Sequence, residues 1–307
     1  LYIFLSIFII FTLLNKIIDN SKISLLIIFF IFWNPIFIGH SLFNLTDVPV
    51  AIQIFLASLI YIDRILLNEP NRKDLLLVGF FFGLSLLTRV STAAFLLPLG
   101  IYYLFVNYKK VNFITYFKNH LFVFLISIIV WILGSPSFYI DPIHFINGII
   151  CSQFTCQAWE GYTAINGNLL FSLDWNPEYL PSLFIYKLPI VLLALFLVGL
   201  LKLKKIHSHL FKYSYFFLAY TYIVHEMFRP SVFNYFRHYL FLIPFVCLSA
   251  SFVLNNLIND KSIKIKLLSL LVISGYMLFT QFGLEQYKYI YVNELVDEEK
   301  ISTECKE

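Results

Sequence analysis

Apolar residues run through this chain in stretches of about 15 to 20, recurring along nearly its whole length, and each approaches the roughly 20 residues a helix needs to cross hydrocarbon. One such stretch would anchor a soluble domain; a series of them leaves no room for one. The runs fall at about 2–14, 24–39, 48–62, 73–88, 91–107, 119–135, 187–201, 213–227, 238–257 and 265–283. A helix satisfies its own backbone groups inside a bilayer, so the expected fold is all-α, a polytopic transmembrane helix bundle of about ten spans. Composition agrees, with 60% hydrophobic residues against 13% charged and a mean hydropathy of +0.80. The whole of 1–307 reads as one transmembrane domain, and the longest non-apolar stretch, 136–186, is the candidate for an extramembrane subdomain.

Basic residues report sidedness. Alternate connections, near 15–23, 62–74, 108–118, 202–212 and 258–266, hold 15 of the 22 Lys and Arg but 5 of the 18 Asp and Glu. By the positive-inside rule this face is cytoplasmic, and 136–186 lies outside with the tail after 284. The net charge of +4 is therefore a difference between a basic inner face and an acidic outer one. It points to membrane lipids, through anionic headgroups, and not to nucleic acid. Leu1 sits in an apolar run with neither a basic region before it nor a small-residue cleavage site after it, so the chain is expected to begin inside a longer protein and not at a signal peptide. Cys151 and Cys156 share the long outer connection, where a disulfide and two free thiols are both open readings. No Cys/His spacing resembles a zinc site, and no internal repeat is visible.

Ionisable groups near the outer ends of spans are the candidates for chemistry, because charge at membrane depth is costly. The connection at 39–49 contains His40 and a single acid, Asp47, followed closely by Pro49. That pattern also describes an N-cap with Pro in the first helical turn, and the two roles can coexist. Arg89 lies in a tight hairpin after 83, where it can anchor to lipid phosphate or clamp a substrate phosphate. A third cluster holds Glu226, Arg229, Asn234, Tyr235, Arg237 and His238, suited either to ion pairing or to substrate binding. The fourth, within 136–186, mixes Tyr139, Asp141, His144, Trp159, Glu160, Asp174, Trp175 and Tyr179, as a sugar-binding surface or an ordinary solvated loop would.

Five segments in order, GHSLFNLTDVPVA (39–51), GLSLLTRVSTAAFLLPLGIYYL (83–104), WNPEYLPSLFIYKLPIVLLALFLVGL (175–200), YFRHYLFLIP (235–244) and YKYIYVNEL (287–295), resemble bacterial members of glycosyltransferase family 39. This is the GT-C group with the protein O-mannosyltransferases and the lipid A aminoarabinose transferases. The resemblance implies a GT-C-type bundle with short outer juxtamembrane helices. It implies an inverting transfer of sugar from a polyprenyl-phosphate donor to an acceptor lipid, glycan or protein, at the periplasmic side of a bacterial inner membrane. Asp47 matches the acid that opens a later span in that family, with Val48 inserted before Pro49, and would be catalytic. His40, Arg89, Tyr235, Arg237 and His238 would bind substrate. The family's first span and first outer loop, with its leading acid, have no counterpart here. The resemblance fixes no cofactor, and a divalent metal is compatible with it.

The chemistry fits one carboxylate and a group of cations. Displacing a lipid phosphate from an anomeric carbon needs a base for the acceptor proton and cations for the charge growing on phosphate. A secondary transporter or a non-catalytic membrane assembly subunit is the alternative. A transporter would more usually place charges at mid-membrane and show two similar halves.

Overall fold

A computed structural model describes residues 2–43, 46–95, 97–109, 111–151, 161–165, 168–171, 174, 176–228, 235–259, 261–282, 291 and 293–295. Among the described residues the apolar runs of the sequence fall largely on helix. In chain order these are α1 (Tyr2–Ile18), α2 (Ser21–Phe32), α3 (Pro35–Phe43), α4 (Asp47–Tyr61), α5 (Arg72–Thr88), α6 (Leu97–Asn107) and α7 (Phe113–Leu133). Two short helices, α8 (Pro136–Ile140) and α9 (Pro142–Ile150), precede an antiparallel hairpin of β1 (Tyr162–Ile165) and β2 (Asn168–Phe171). Then come α10 (Tyr179–Lys187), α11 (Ile190–Leu201), α12 (His209–Phe228), α13 (Ile243–Ile258) and α14 (Ile263–Phe279).

Helices do not equal crossings. Among the described residues, four stretches are long and apolar enough to span, Asp47–Leu66, Val90–Asn107, Phe113–Leu133 and Phe236–Ile258. A fifth is added if α2 and α3, bent by 58° at their junction, count as one broken span. The expectation of about ten full spans treated each apolar run as one uninterrupted crossing. The 12 residues of α11 reach only about 18 Å at the helical rise, short of the ~30 Å of hydrocarbon. Helices this long and apolar are compatible with an integral membrane protein.

The chain divides into two compact units, Leu1–Ile17 with Pro49–Ala158, and Ile18–Val48 with Trp159–Glu307. The boundary falls inside 136–186. In the first unit α5 packs closely on α7. Gly79 and Gly83, four residues apart on one face of α5, make this possible: a Cβ on either would lie 2.7 Å from Ile126 or 2.5 Å from Val130. Ser127 Oγ donates across the contact to the Gly79 carbonyl at 3.1 Å. Beyond α4 the helix widens into a π-turn, Ile62–Leu66, holding the buried Asp63. Lys16 Nζ on α1 donates to Asp63 Oδ2 at 2.6 Å, and Arg64 Nε approaches the same oxygen at 2.8 Å. Arg64 also donates to Asp74, which forms a capping box with Asn71 at the start of α5.

The second unit is centred on α13, buried without interruption from Ile243 to Leu254 and packed by α2, α11 and α12. Ser214 on α12 and Ser249 on α13 share a 2.5 Å hydroxyl bond in this interior. At the break between α10 and α11 the orphan backbone groups are met from a distance. Asn293 N donates to the Tyr186 carbonyl at 2.8 Å, and Asn293 Nδ2 donates to the Ile185 and Leu188 carbonyls at 2.6 and 2.8 Å. Ile190 N donates to Tyr276 Oη at 3.1 Å, and Tyr276 in turn donates to Glu294.

Candidate functional site

Asp47 occupies the first turn of α4, where the N-terminal end of the helix favours a carboxylate and Pro49 loses no intrahelical bond. It is 2% exposed. Arg237 Nε donates to its Oδ2 at 3.1 Å across 190 residues of sequence, and Thr46 Oγ1 donates to Oδ1 at 3.5 Å. The Arg237 side chain keeps 33% of its surface open while that of Asp47 keeps 1%. The acid is thus buried while its cation is partly open.

A 3₁₀ segment, Tyr235–Leu242, presents this arginine. With three residues per turn, Phe236, Tyr239 and Leu242 fall on one face, and all three are buried. Arg237 and His238 are turned to partly open positions. Two contacts anchor the buried face, and a third supports one of them. Phe236 meets Phe184 of α10 at 5.6 Å between ring centroids. Tyr239 Oη and His225 Nδ1 are hydrogen-bonded at 2.6 Å in the interior. The His225 ring stacks against Tyr179 of α10 at 6.1 Å and 25°. Ile243 and Pro244 then start α13, the proline again in a first turn.

His40 is buried on α3, and α3 packs against the 3₁₀ segment. Tyr235 opens that segment; the placement of its side chain lies outside the described residues, as do Arg229 and Asn234. Arg89 stands in the first unit as the C-cap of α5, its amide donating to the Ser85 carbonyl at 2.9 Å and its carbonyl accepting from Thr92 Oγ1 at 2.7 Å. Of the long outer stretch, Asp141 serves as a cap, accepting from the His144 amide at 2.9 Å at the start of α9. Trp159, Glu160 and Trp175 lie outside the described residues. Cys151 is disulfide-bonded, and Cys156 too lies outside the described residues. Among the described residues no group of three His, Cys, Asp or Glu is placed to hold a metal ion.

Residues that sequence reasoning passed over are His225, Tyr239 and Lys187. All three are buried polar groups, Lys187 at 3% exposure, and their place at the ends of apolar runs is the signal by which they could have been found. Comparison with family models, with curated proteins and with solved structures returns no match.

Proposed function

We propose that this protein is a membrane glycosyltransferase, moving a sugar from a polyprenyl-phosphate donor to an acceptor hydroxyl or amine on the outer side of a bacterial inner membrane. The reading extends the helical architecture to about ten crossings, with the shorter helices completing the bundle. One observation carries it: a sealed carboxylate and a half-open guanidinium, brought together from opposite ends of the sequence in one compact unit. Ionisable residues in apolar helical proteins are expensive, and a pair kept at a helix start is a functional-site candidate by default. In the transfer, the acceptor oxygen or nitrogen bonds to the anomeric carbon as the bond from that carbon to the phosphate oxygen breaks. The acceptor proton passes to Asp47, and the polyprenyl phosphate departs as an anion held by Arg237. Inversion follows from direct displacement. Burial of the base excludes competing water, and no acid is required by so good a leaving group.

The test is transfer of radiolabelled sugar from a polyprenyl-phosphate donor, in membrane vesicles carrying the protein. Label moving to an extractable lipid, glycan or protein, and lost on Arg237→Ala, is the expected result. A second reading, a secondary transporter, is favoured by the 58° break between α2 and α3, since broken helices build transporter sites. Solute accumulation without covalent transfer in the same vesicles would select it.

A further inference from the structure

We infer that Asn293 is a positioning residue for Arg237: it fixes the last turn of α10, and that turn seats the segment carrying the arginine. The inference rests on the transferase reading where it takes donor phosphate as what Arg237 holds, and it specifies what keeps that site in shape. With nine residues, α10 is shorter than the roughly 12 to 15 an isolated helix needs, so its form is set by what it touches. Its C-terminal end is the weak place. The last carbonyls of a helix have no partner inside it, and Pro189, following Leu188, has no N–H to continue the ladder. Burial closes the usual recourse to water, since Lys187 is 3% exposed and Leu188 0%. Asn293, itself 3% exposed, supplies the donors, with Nδ2 directed to the Ile185 and Leu188 carbonyls and its amide to that of Tyr186. Asn293 Oδ1 accepts from the Leu295 amide at 3.0 Å, so partners at both ends hold the side-chain amide in one orientation.

From this corner the route to the arginine is short. Phe184 lies in the same turn, next to Ile185 in sequence, and its ring meets that of Phe236 at 5.6 Å and 61°. Phe236 is 1% exposed and immediately precedes Arg237. One peptide step thus joins the held carbonyl to the ring contact on α10, and one joins the ring contact to the arginine on the 3₁₀ segment. Phe184 also meets Phe196 of α11 at 6.2 Å, so the helices on both sides of the corner grip one ring. The stacking of Tyr179 on His225 leaves α10 at its other end and does not pass through Asn293. Hydrogen bonds in 3₁₀ geometry are poor, so the segment depends on such supports for its shape. Without Asn293 the buried carbonyls turn toward other donors, the last turn of α10 loosens, and the seat of Phe236 loosens with it. An arginine on a looser segment must be ordered again when it takes up phosphate, which weakens binding.

The experiment reads the segment directly. Amide hydrogen exchange is followed in the full chain in nanodiscs, for the wild type and for Asn293→Asp, which keeps the size of the side chain but sets a carboxylate against two carbonyls. Exchange across Tyr235–Leu242 is expected to rise about tenfold together with that of α10, while α5 and α7 in the first unit stay unchanged. Undecaprenyl phosphate, titrated by native mass spectrometry, binds the variant about tenfold more weakly. In transfer assays the loss appears in KM for the donor, with kcat within about threefold of wild type, because the arginine holds phosphate in the ground state as well as the transition state. In a Phe184→Ala background, Asn293→Asp adds less than about twofold to exchange in the segment, since the ring that relays it is gone. A rise confined to α10 and α11, a rise shared alike by both units, or the full effect surviving Phe184→Ala overturns the inference. So does an unchanged affinity where the wild type binds undecaprenyl phosphate. If Asn293→Asp does not fold, Asn293→Ser, which keeps one donor, is read by the same outcomes. Sugar transfer by the wild type without the coupled exchange sinks the positioning role alone. Coupled exchange in a protein that neither binds undecaprenyl phosphate nor transfers sugar sinks the transferase reading alone.

Discussion

Two buried aspartates, Asp63 in the first unit and Asp47 in the second, meet arginine on different terms. Asp63 is paired with its own neighbour Arg64 and with Lys16, and Arg64 is shared with Asp74, itself bound into a helix cap. The result is a closed circuit, in which the acids are spoken for and the cations, 49% and 39% exposed, rest partly in water. Asp47 meets an arginine from 190 residues away, held out on a 3₁₀ segment. Local pairing near helix ends ties a bundle together. Remote pairing, with the acid sealed and the cation open, spends folding information on a geometry that the helices themselves do not need.

The sharpest way to break this contrast is to remove one charge from each site. Asp47→Asn is expected to lower sugar transfer by about 10²- to 10⁴-fold, the usual contribution of a general base, although it keeps the size of the side chain. Asp63→Asn should leave transfer within about threefold of wild type. Comparable losses from both, measured as initial rates in vesicles, would mean that the two aspartates do the same kind of work.

Stability should rank them the other way. Asp63→Ala takes the shared acid from Lys16 and Arg64, and because both cations reach water the cost is held to about 1–2 kcal/mol. A lowered thermal midpoint in detergent, with transfer retained, is the expected reading; a midpoint unchanged within error would show the circuit to be ornamental. The smallest effect belongs to the support of the arginine. Tyr239→Phe removes the hydroxyl bonded to His225 and should cost about 1 kcal/mol, with a weaker grip on undecaprenyl phosphate. If phosphate binding is unaffected by Tyr239→Phe, the buried face of the segment does not position Arg237.

Much of the helical layout was legible because apolar length is a bulk property that survives averaging over a run. What averaging hides is the interruption. Trp33, Asn34 and Pro35 sit inside the run read as 24–39, yet the structure breaks there, with Asn34 Oδ1 accepting from the Ile36 and Phe37 amides to start α3. The residue before a proline is disfavoured in helix, so the signal was present and outweighed by hydropathy. The hairpin was missed in a similar way. Ile165 pairs with Asn168, and the two residues between them in sequence are Asn166 and Gly167, a strong short-range hairpin signature concealed in a stretch read as one outer loop. Asp47 and Arg237 were each recognisable as rim residues. Their contact was not readable from spacing, since no helical or strand period connects positions 190 apart. His225 and Tyr239 were hidden by being few polar atoms in apolar surroundings, where composition counts them as noise and packing makes them partners.

The clasp made by Asn293 sets an order of events in synthesis. The carbonyls of Ile185 and Leu188 emerge more than a hundred residues before the side chain that will satisfy them. Until that side chain arrives, the turn between α10 and α11 has to borrow water or a translocon surface in its place. A later segment is therefore the one that closes an early corner, and the second unit cannot reach its final form until translation has passed Asn293.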